Sequence, residues 1–206
     1  LFGAGSATIS YAQEGHVDLR RQLPTAALAC LGGAIGAVLA TFLPGEWLRA
    51  GMPFLLIAIA IYFAFKPNMN DVDKAQRITP LLFGLTVVPL VGFYDGVFGP
   101  GTGSFYMLAF VALAGYGVLK ATAHTKLLNF ASNLGGFAVF AFAGAMVWKV
   151  GLLMGVCQIL GARLGAGLAM RNGAKLIRPL LILVCVAMAI RLLAAPDNPV
   201  RTLLGI

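Results

Sequence analysis

Thirteen residues, GFYDGVFGPGTGS from Gly92 to Ser104, combine one carboxylate, Asp95, with five glycines and a proline. Apolar runs flank them on both sides. A carboxylate and an interrupted backbone persist inside a bilayer only where protein or water satisfies them. The break is therefore a candidate site for a polar solute. Its short flanking segments can leave N–H groups unpaired, with Ser104 capping the helix that follows. A half-helix N-terminus of this kind favours anions. Gly99, Gly101, Gly103 and Ser104 are the expected contacts. Asp95 is expected to couple or gate, by binding H+ or a cation such as Na+, and Tyr94 lines the site or sits at an interface. The plainer alternative is a tight turn in which glycines permit close packing. GPGTG has neither the spacing nor the βα context of a Walker loop or a dinucleotide fingerprint.

A second set of polar residues follows in the segment from Leu119. Thr122, Lys126, Asn129, Asn133 and Gly136 recur at helical spacing and form one stripe, flanked by Thr125 and Ser132. Such a stripe belongs against protein or a water-filled cavity. Interhelical hydrogen bonding alone would account for the Ser, Thr and Asn. Lys126 adds a charge that needs an anionic partner, either Asp95 or an anionic substrate. His124 lies nearly opposite the stripe, near the start of the helix, and reads equally as interfacial or functional. Arg163 and Arg191 lie near helix ends, where snorkelling to the headgroups is favoured over a substrate role. No ligand cluster for a metal and no cofactor motif stands out.

These groups must be held by apolar elements. The chain is 60 % hydrophobic and only 11 % charged, with a mean hydropathy of +0.90. Runs of about 20 apolar residues match the bilayer core. The fold class expected is all-α, a polytopic helical membrane protein, without the alternating short strands of a β-barrel. Cys30, Cys157 and Cys185 sit in apolar runs without CxxC spacing and read as core residues.

The net charge of +8 does not indicate a nucleic-acid partner, because most of the charges lie in short loops between apolar runs. With the Arg20–Arg21 loop in the cytoplasm, nine basic residues fall inside: Arg20, Arg21, Lys66, Lys74, Arg77, Lys120, Arg171, Lys175 and Arg178. Arg49, Lys149 and Arg201 fall outside. Trp47 and Trp148 are placed as interfacial or site-lining residues.

The organisation expected is a single transmembrane domain. Residues 1–65 hold Leu1 to Ala12 and two full spans. Residues 66–79 form a cytoplasmic linker, 80–195 a repeat with the glycine-rich break, and 196–206 a tail. The pair flanking the break is either a re-entrant hairpin or two short crossings. Leu1 to Ala12 would reach only about 18 Å as a helix, which suggests a fragment beginning inside one. GGAIGAVLA (Gly32 to Ala40) aligns with GARLGAGLA (Gly161 to Ala169), each followed by a basic stretch and a proline, Pro53 and Pro179. Upstream, Ser6 aligns with Ser132. An odd number of segments per repeat inverts the copies, as in transporters built around broken helices. The GxxxG pairs Gly32/Gly36 and Gly161/Gly165 both predict close helix packing.

The stretches GFYDGVFGPGTGSFY, KATAHTKLLNFASNLGG and GARLG…KLIRP resemble the TauE/SafE family of membrane transporters, nearest its YfcA-type branch. The resemblance covers essentially the whole chain. It implies a first glycine-rich segment and a lysine-containing helix start that would precede Leu1. It also implies a bacterial inner-membrane transporter of anions, often sulfur-containing, such as sulfite, sulfonates or thiosulfate. Together with the residues, this favours a secondary transporter with Lys126, Asn129, Asn133, Ser132, Thr122 and Ser6 around the anion. A non-transporting scaffold built on GxxxG faces is the alternative. An intramembrane enzyme with Asp95 and His124 as acid–base pair is weaker, because no nucleophile accompanies them.

Overall fold

A computed structural model describes residues 1–43, 45–65, 71–144 and 146–194. The described residues are helical throughout their regular segments. The helices are α1 (Phe2–Gln13), α2 (Leu23–Ala40), α3 (Gly45–Phe65), α4 (Pro80–Val97), α5 (Thr102–Ala112), α6 (Val118–Phe142), α7 (Trp148–Asn172) and α8 (Ala174–Leu193). Helices α2, α4, α7 and α8 are long and apolar enough to cross a membrane. The chain is a polytopic helical membrane protein. Lys66, Pro67, Arg201 and the tail lie outside the described residues, as do the side chains of Trp47 and Arg49.

Helix α4 carries a π-turn at Phe83–Val87, just before Pro89. Proline has no N–H for the ladder and crowds the carbonyl a turn earlier, and a π-turn absorbs that mismatch. The carbonyl of Val88 is taken up by the Tyr106 hydroxyl at 3.1 Å. Pro53 and Pro179 lie inside α3 and α8.

Close backbone approach sets the packing of α2. A Cβ on Gly32 or Gly36 would collide with the backbone of Pro89 or Phe93 on α4, and one on Gly33 with the Ser132 carbonyl on α6. The GxxxG expectation holds there. It fails on α7, where Gly161 and Gly165 have nothing within 4 Å of a would-be Cβ. Both are exposed and form part of a cavity wall instead. Helix α1 packs against α7 and α6, α2 against α4 and α6, and α3 against α8.

One end of the bundle gathers the basic loops. Asp71 accepts bonds from the amides of Leu119 (3.0 Å) and Ala174 (3.1 Å), so one carboxylate serves the first turns of both α6 and α8. Asp73 accepts from the Gly117 amide at 2.8 Å and pairs with Lys120. Arg77 N donates to the Leu113 carbonyl at 2.9 Å, which brings the start of α4 beside the end of α5. The pair α4–α5 therefore enters and leaves at the same end. Eleven residues of α5 reach about 16 Å, too short for a crossing. Helix α4, its partner in the pair, is by contrast long enough to cross. Helix α1 runs alongside α7, Phe2 against Gly155 and Ser6 against Ile159, so the Arg20–Arg21 loop joins Arg171 and Lys175 at the same end. Lys149 starts α7 at the other. That asymmetry is the one the loop charges predict.

Two outcomes test this packing. Gly96→Ala places a Cβ 2.6 Å from the Ala37 amide nitrogen on α2. It should lower stability by about 1–3 kcal/mol in detergent unfolding, whereas Gly151→Ala, in open space, should not. The bond from Gly117 and then Lys120 hold the Asp73 carboxyl below its usual range. A lowered native value stabilises fully above the unfolded carboxylate value and is lost as pH falls through the native one. Protection of the Gly117 amide against hydrogen exchange, corrected for intrinsic rates, should therefore drop at acid pH. Unchanged protection there would remove Asp73 as the tether.

Candidate functional site

Helix α4 does not stop at Tyr94, as the run of glycines suggests, but continues through Asp95 to Val97. Asp95 thus sits on the last turn of a helix, and the break proper is residues 98–101. Gly99 (φ +78°) and Gly101 (φ +87°) make the reversal in left-handed conformations that favour glycine. Gly101 is the N-cap of α5, so Ser104 is not its cap. The Ser104 hydroxyl instead meets the Cys185 thiol on α8 at 3.3 Å. Tyr94 pins the break by donating to the Pro100 carbonyl at 2.9 Å and packing its ring on Phe98 and Phe105. It is not a cavity-lining residue.

Asp95 is only 8 % exposed. Its carboxylate collects three donors from two other helices. Thr102 Oγ1 donates to Oδ1 at 2.7 Å, Ser132 Oγ donates to Oδ2, and Asn133 Nδ2 donates to Oδ2 at 3.2 Å. Asn133 Nδ2 also reaches the Asn129 carbonyl and side-chain oxygen. A buried carboxylate requires such donors. The stripe on α6 and the break are therefore brought together around Asp95. Thr102 was not singled out from the sequence, although it is seven residues from Asp95 across a glycine turn. Its signal was its place as the first residue of α5.

Beside this cluster lies a cavity of about 820 Å³. Asp95, Gly99, Gly101, Gly103, Ser104, Thr122, Lys126, Asn129 and Asn133 all line it. Lys126 does not pair with Asp95. Among the described residues its ammonium has no hydrogen-bond or ion-pair partner. Asn129 spends its oxygen on Asn133, and among the described residues its Nδ2 has no acceptor, next to the bare Cα of Gly103. Thr125, which flanks the stripe, also lines the cavity, and its buried hydroxyl has no partner among the described residues. The Thr122 hydroxyl is spent on the Val118 carbonyl at 2.7 Å. Of the first amides of α5, that of Ser104 is taken by the Gly101 carbonyl at 2.8 Å, while those of Thr102 and Gly103 have no intrahelical acceptor. The wall thus offers an ammonium, an amide and a hydroxyl near a helix N-terminus, a set suited to an anion.

The remaining candidates lie elsewhere. Ser6 is buried, donates to the Ile159 carbonyl at 3.2 Å and does not line the cavity. His124 bonds the Lys120 carbonyl at 2.9 Å and packs edge-on to Tyr116 and Phe110. It is thereby taken away from Asp95, and the acid–base pair is not formed. Arg163 is exposed on the outer face of α7, in keeping with snorkelling. Cys185 is buried at the cavity, whereas Cys157 is exposed on α7 rather than in a core. Among the described residues no group of three or more His, Cys, Asp or Glu could hold a metal.

The family model described as Sulfite exporter TauE/SafE matches residues 1–192. "Probable membrane transporter protein ORF9" of Sinorhizobium sp is 64 % identical over 205 residues, covering 100 % of this chain and 78 % of that protein. "Probable membrane transporter protein YfcA" of Escherichia coli K12 is 43 % identical over 191 residues, covering 93 % and 71 %. "Probable membrane transporter protein YdhB" of Bacillus subtilis is 24 % identical over 172 residues, covering 80 % and 69 %. No solved structure matches the chain.

The unpartnered Thr125 hydroxyl gives a two-sided test. Thr125→Val keeps the shape and removes a buried unsatisfied group, so it should raise stability by about 1 kcal/mol. If the hydroxyl faces a bound anion, the same change should weaken sulfite binding severalfold in titration calorimetry. A loss of stability would mean that the hydroxyl is satisfied after all.

Proposed function

This chain belongs to the TauE/SafE family, a family of multi-pass bacterial inner-membrane transporters rather than enzymes, and on that premise we propose that it carries a small oxyanion by alternating access. The observation that carries the reading is the Lys126 ammonium, which lines the cavity and has no ion-pair partner among the described residues. A charge left in an apolar bundle is costly unless a counter-charge arrives, and an anionic substrate supplies it. Asn129, Thr125 and the first two amides of α5 give neutral donors around the same space. Asn133 and Ser132 act behind them, by holding Asp95. The family description names sulfite, and sulfite or an organosulfonate fits this donor set.

Asp95 is the coupling group in this reading. It lines the cavity and joins the break to α6, so a change in its charge is felt by both. Alternation would turn on the α4–α5 pair and its counterpart helices, driven by an ion gradient or by the gradient of the substrate. A purely structural scaffold has no use for an unpaired lysine facing a cavity, which disfavours that alternative.

Sulfite flux into proteoliposomes tests the assignment. Lys126→Ala should reduce flux more than tenfold, and Lys126→Arg should retain part of it. Flux unaffected by Lys126→Ala would refute the anion-binding role.

A further inference from the structure

The hydroxyl of Thr102 lies between two acceptors but has one proton to give. It is 2.7 Å from Asp95 Oδ1 and 2.7 Å from the Gly99 carbonyl. A hydroxyl can donate once and accept twice. With Asp95 ionised, the proton points to Oδ1, and the Gly99 carbonyl goes without it. With Asp95 protonated on Oδ1, the carboxyl O–H donates to Thr102 Oγ1, and the Thr102 proton turns to the Gly99 carbonyl. One proton is gained, no other bond is broken, and the hydrogen bond that holds the glycine turn is switched on. Ser132 repeats the arrangement more loosely, with its hydroxyl shared between Asp95 Oδ2 and the Asn129 carbonyl at 3.2 Å.

From this juxtaposition we propose that Thr102 is the positioning residue that converts protonation of Asp95 into tightening of the Gly99–Gly101 turn, so that a proton travels with the anion. The proposal deepens the transport reading above and rests on it for the word "travels". The switch itself does not. Thr102 is 1 % exposed, whereas Asp95 lines the cavity, so the proton enters from the cavity side and is read on the buried side. A metal cation is disfavoured by the same geometry: two hydroxyl hydrogens and an amide hydrogen already converge on the carboxylate. Charge balance supports co-binding. Protonation neutralises Asp95, the one carboxylate that lines the cavity among the described residues, and leaves Lys126 to attract the anion.

The titratable groups around Asp95 come from each neighbouring element. Helix α4 adds Tyr94, bound to Pro100. Helix α5 adds Tyr106, bound to Val88. Helix α6 contributes Lys126 across the cavity and His124 nearer the basic end. Tyr11 lines the same cavity from α1, and Cys185 from α8. Helix α2 brings only Cys30 and no charged residue, and from α3 Leu56 is at the wall. None of them sits between Asp95 and Gly99, where Thr102 does.

Infrared difference spectroscopy across a pH titration tests the switch without any substrate. The protonated-carboxyl band that disappears in Asp95→Asn should titrate in the wild type. Its midpoint should move by about one pH unit or more in Thr102→Val, the scale of one hydrogen bond to a charged group. Thr102→Ser, which keeps the hydroxyl, should restore it. Exchange protection at residues 99–102, corrected for intrinsic rates, should rise in acid in the wild type and in Thr102→Ser, and stay flat in Thr102→Val. A midpoint identical in all three proteins, or a turn whose protection ignores pH, overturns the switch. Sulfite flux with no accompanying proton uptake, read by an entrapped pH dye, overturns the coupling while leaving transport intact. Absence of flux for every oxyanion tried refutes the transport reading, and with it the co-transport, while the spectroscopic arms still decide the switch.

Discussion

The carboxylate of Asp95 is the constraint around which the bundle is arranged. An ionised group removed from water costs several kcal/mol unless it is closely paired or hydrogen-bonded. Hydrogen bonds to a charged group each return about 1.5–3 kcal/mol. Here the donors come from α5 and α6, so α4, α5 and α6 must meet at one point. The glycine turn exists to bring the first residue of α5 back over the last turn of α4. Tyr94 and its aromatic neighbours then hold the turn from behind.

That meeting needs backbones closer than ordinary side chains permit. Helix α2 supplies the room, because its Gly32, Gly33 and Gly36 let α4 and α6 lie directly on its backbone. In a bilayer the association of helices rests on packing and hydrogen bonds, since lipid tails are as apolar as leucine. Small residues therefore do more for this fold than large ones. The same spacing on α7 has a different outcome. Gly161 and Gly165 meet nothing, and their lack of side chains widens the cavity wall. A motif that means contact on one helix means space on another, because contact depends on what lies opposite.

The basic end of the bundle is organised by carboxylates of the linker. Asp71 caps two helix starts, and Asp73 ties the linker to the loop before α6. The helices that form the cavity are thus fixed at one end by exposed, salt-sensitive groups and in the middle by a buried one. A transporter must loosen one region while holding another, and these two kinds of tether respond to different conditions.

Much of the protein was legible in its sequence. Composition and run length determine a helical membrane protein, since a bilayer demands apolar side chains and internally satisfied backbone. Helical spacing alone places Lys126, Asn129 and Asn133 on one face, and a carboxylate among glycines marks the break. Loop charges give the orientation. What spacing cannot supply is distance between segments. Only the tertiary structure decided that Asn133 and Ser132 reach Asp95 while Lys126 does not, that Ser6 and His124 turn to backbone carbonyls, and that Thr102 stands between the carboxylate and the Gly99 carbonyl. Periodicity fixes the face a residue occupies along its own helix. The partner on that face depends on how the helices cross, and the crossing is set by close contacts between residues far apart in the chain.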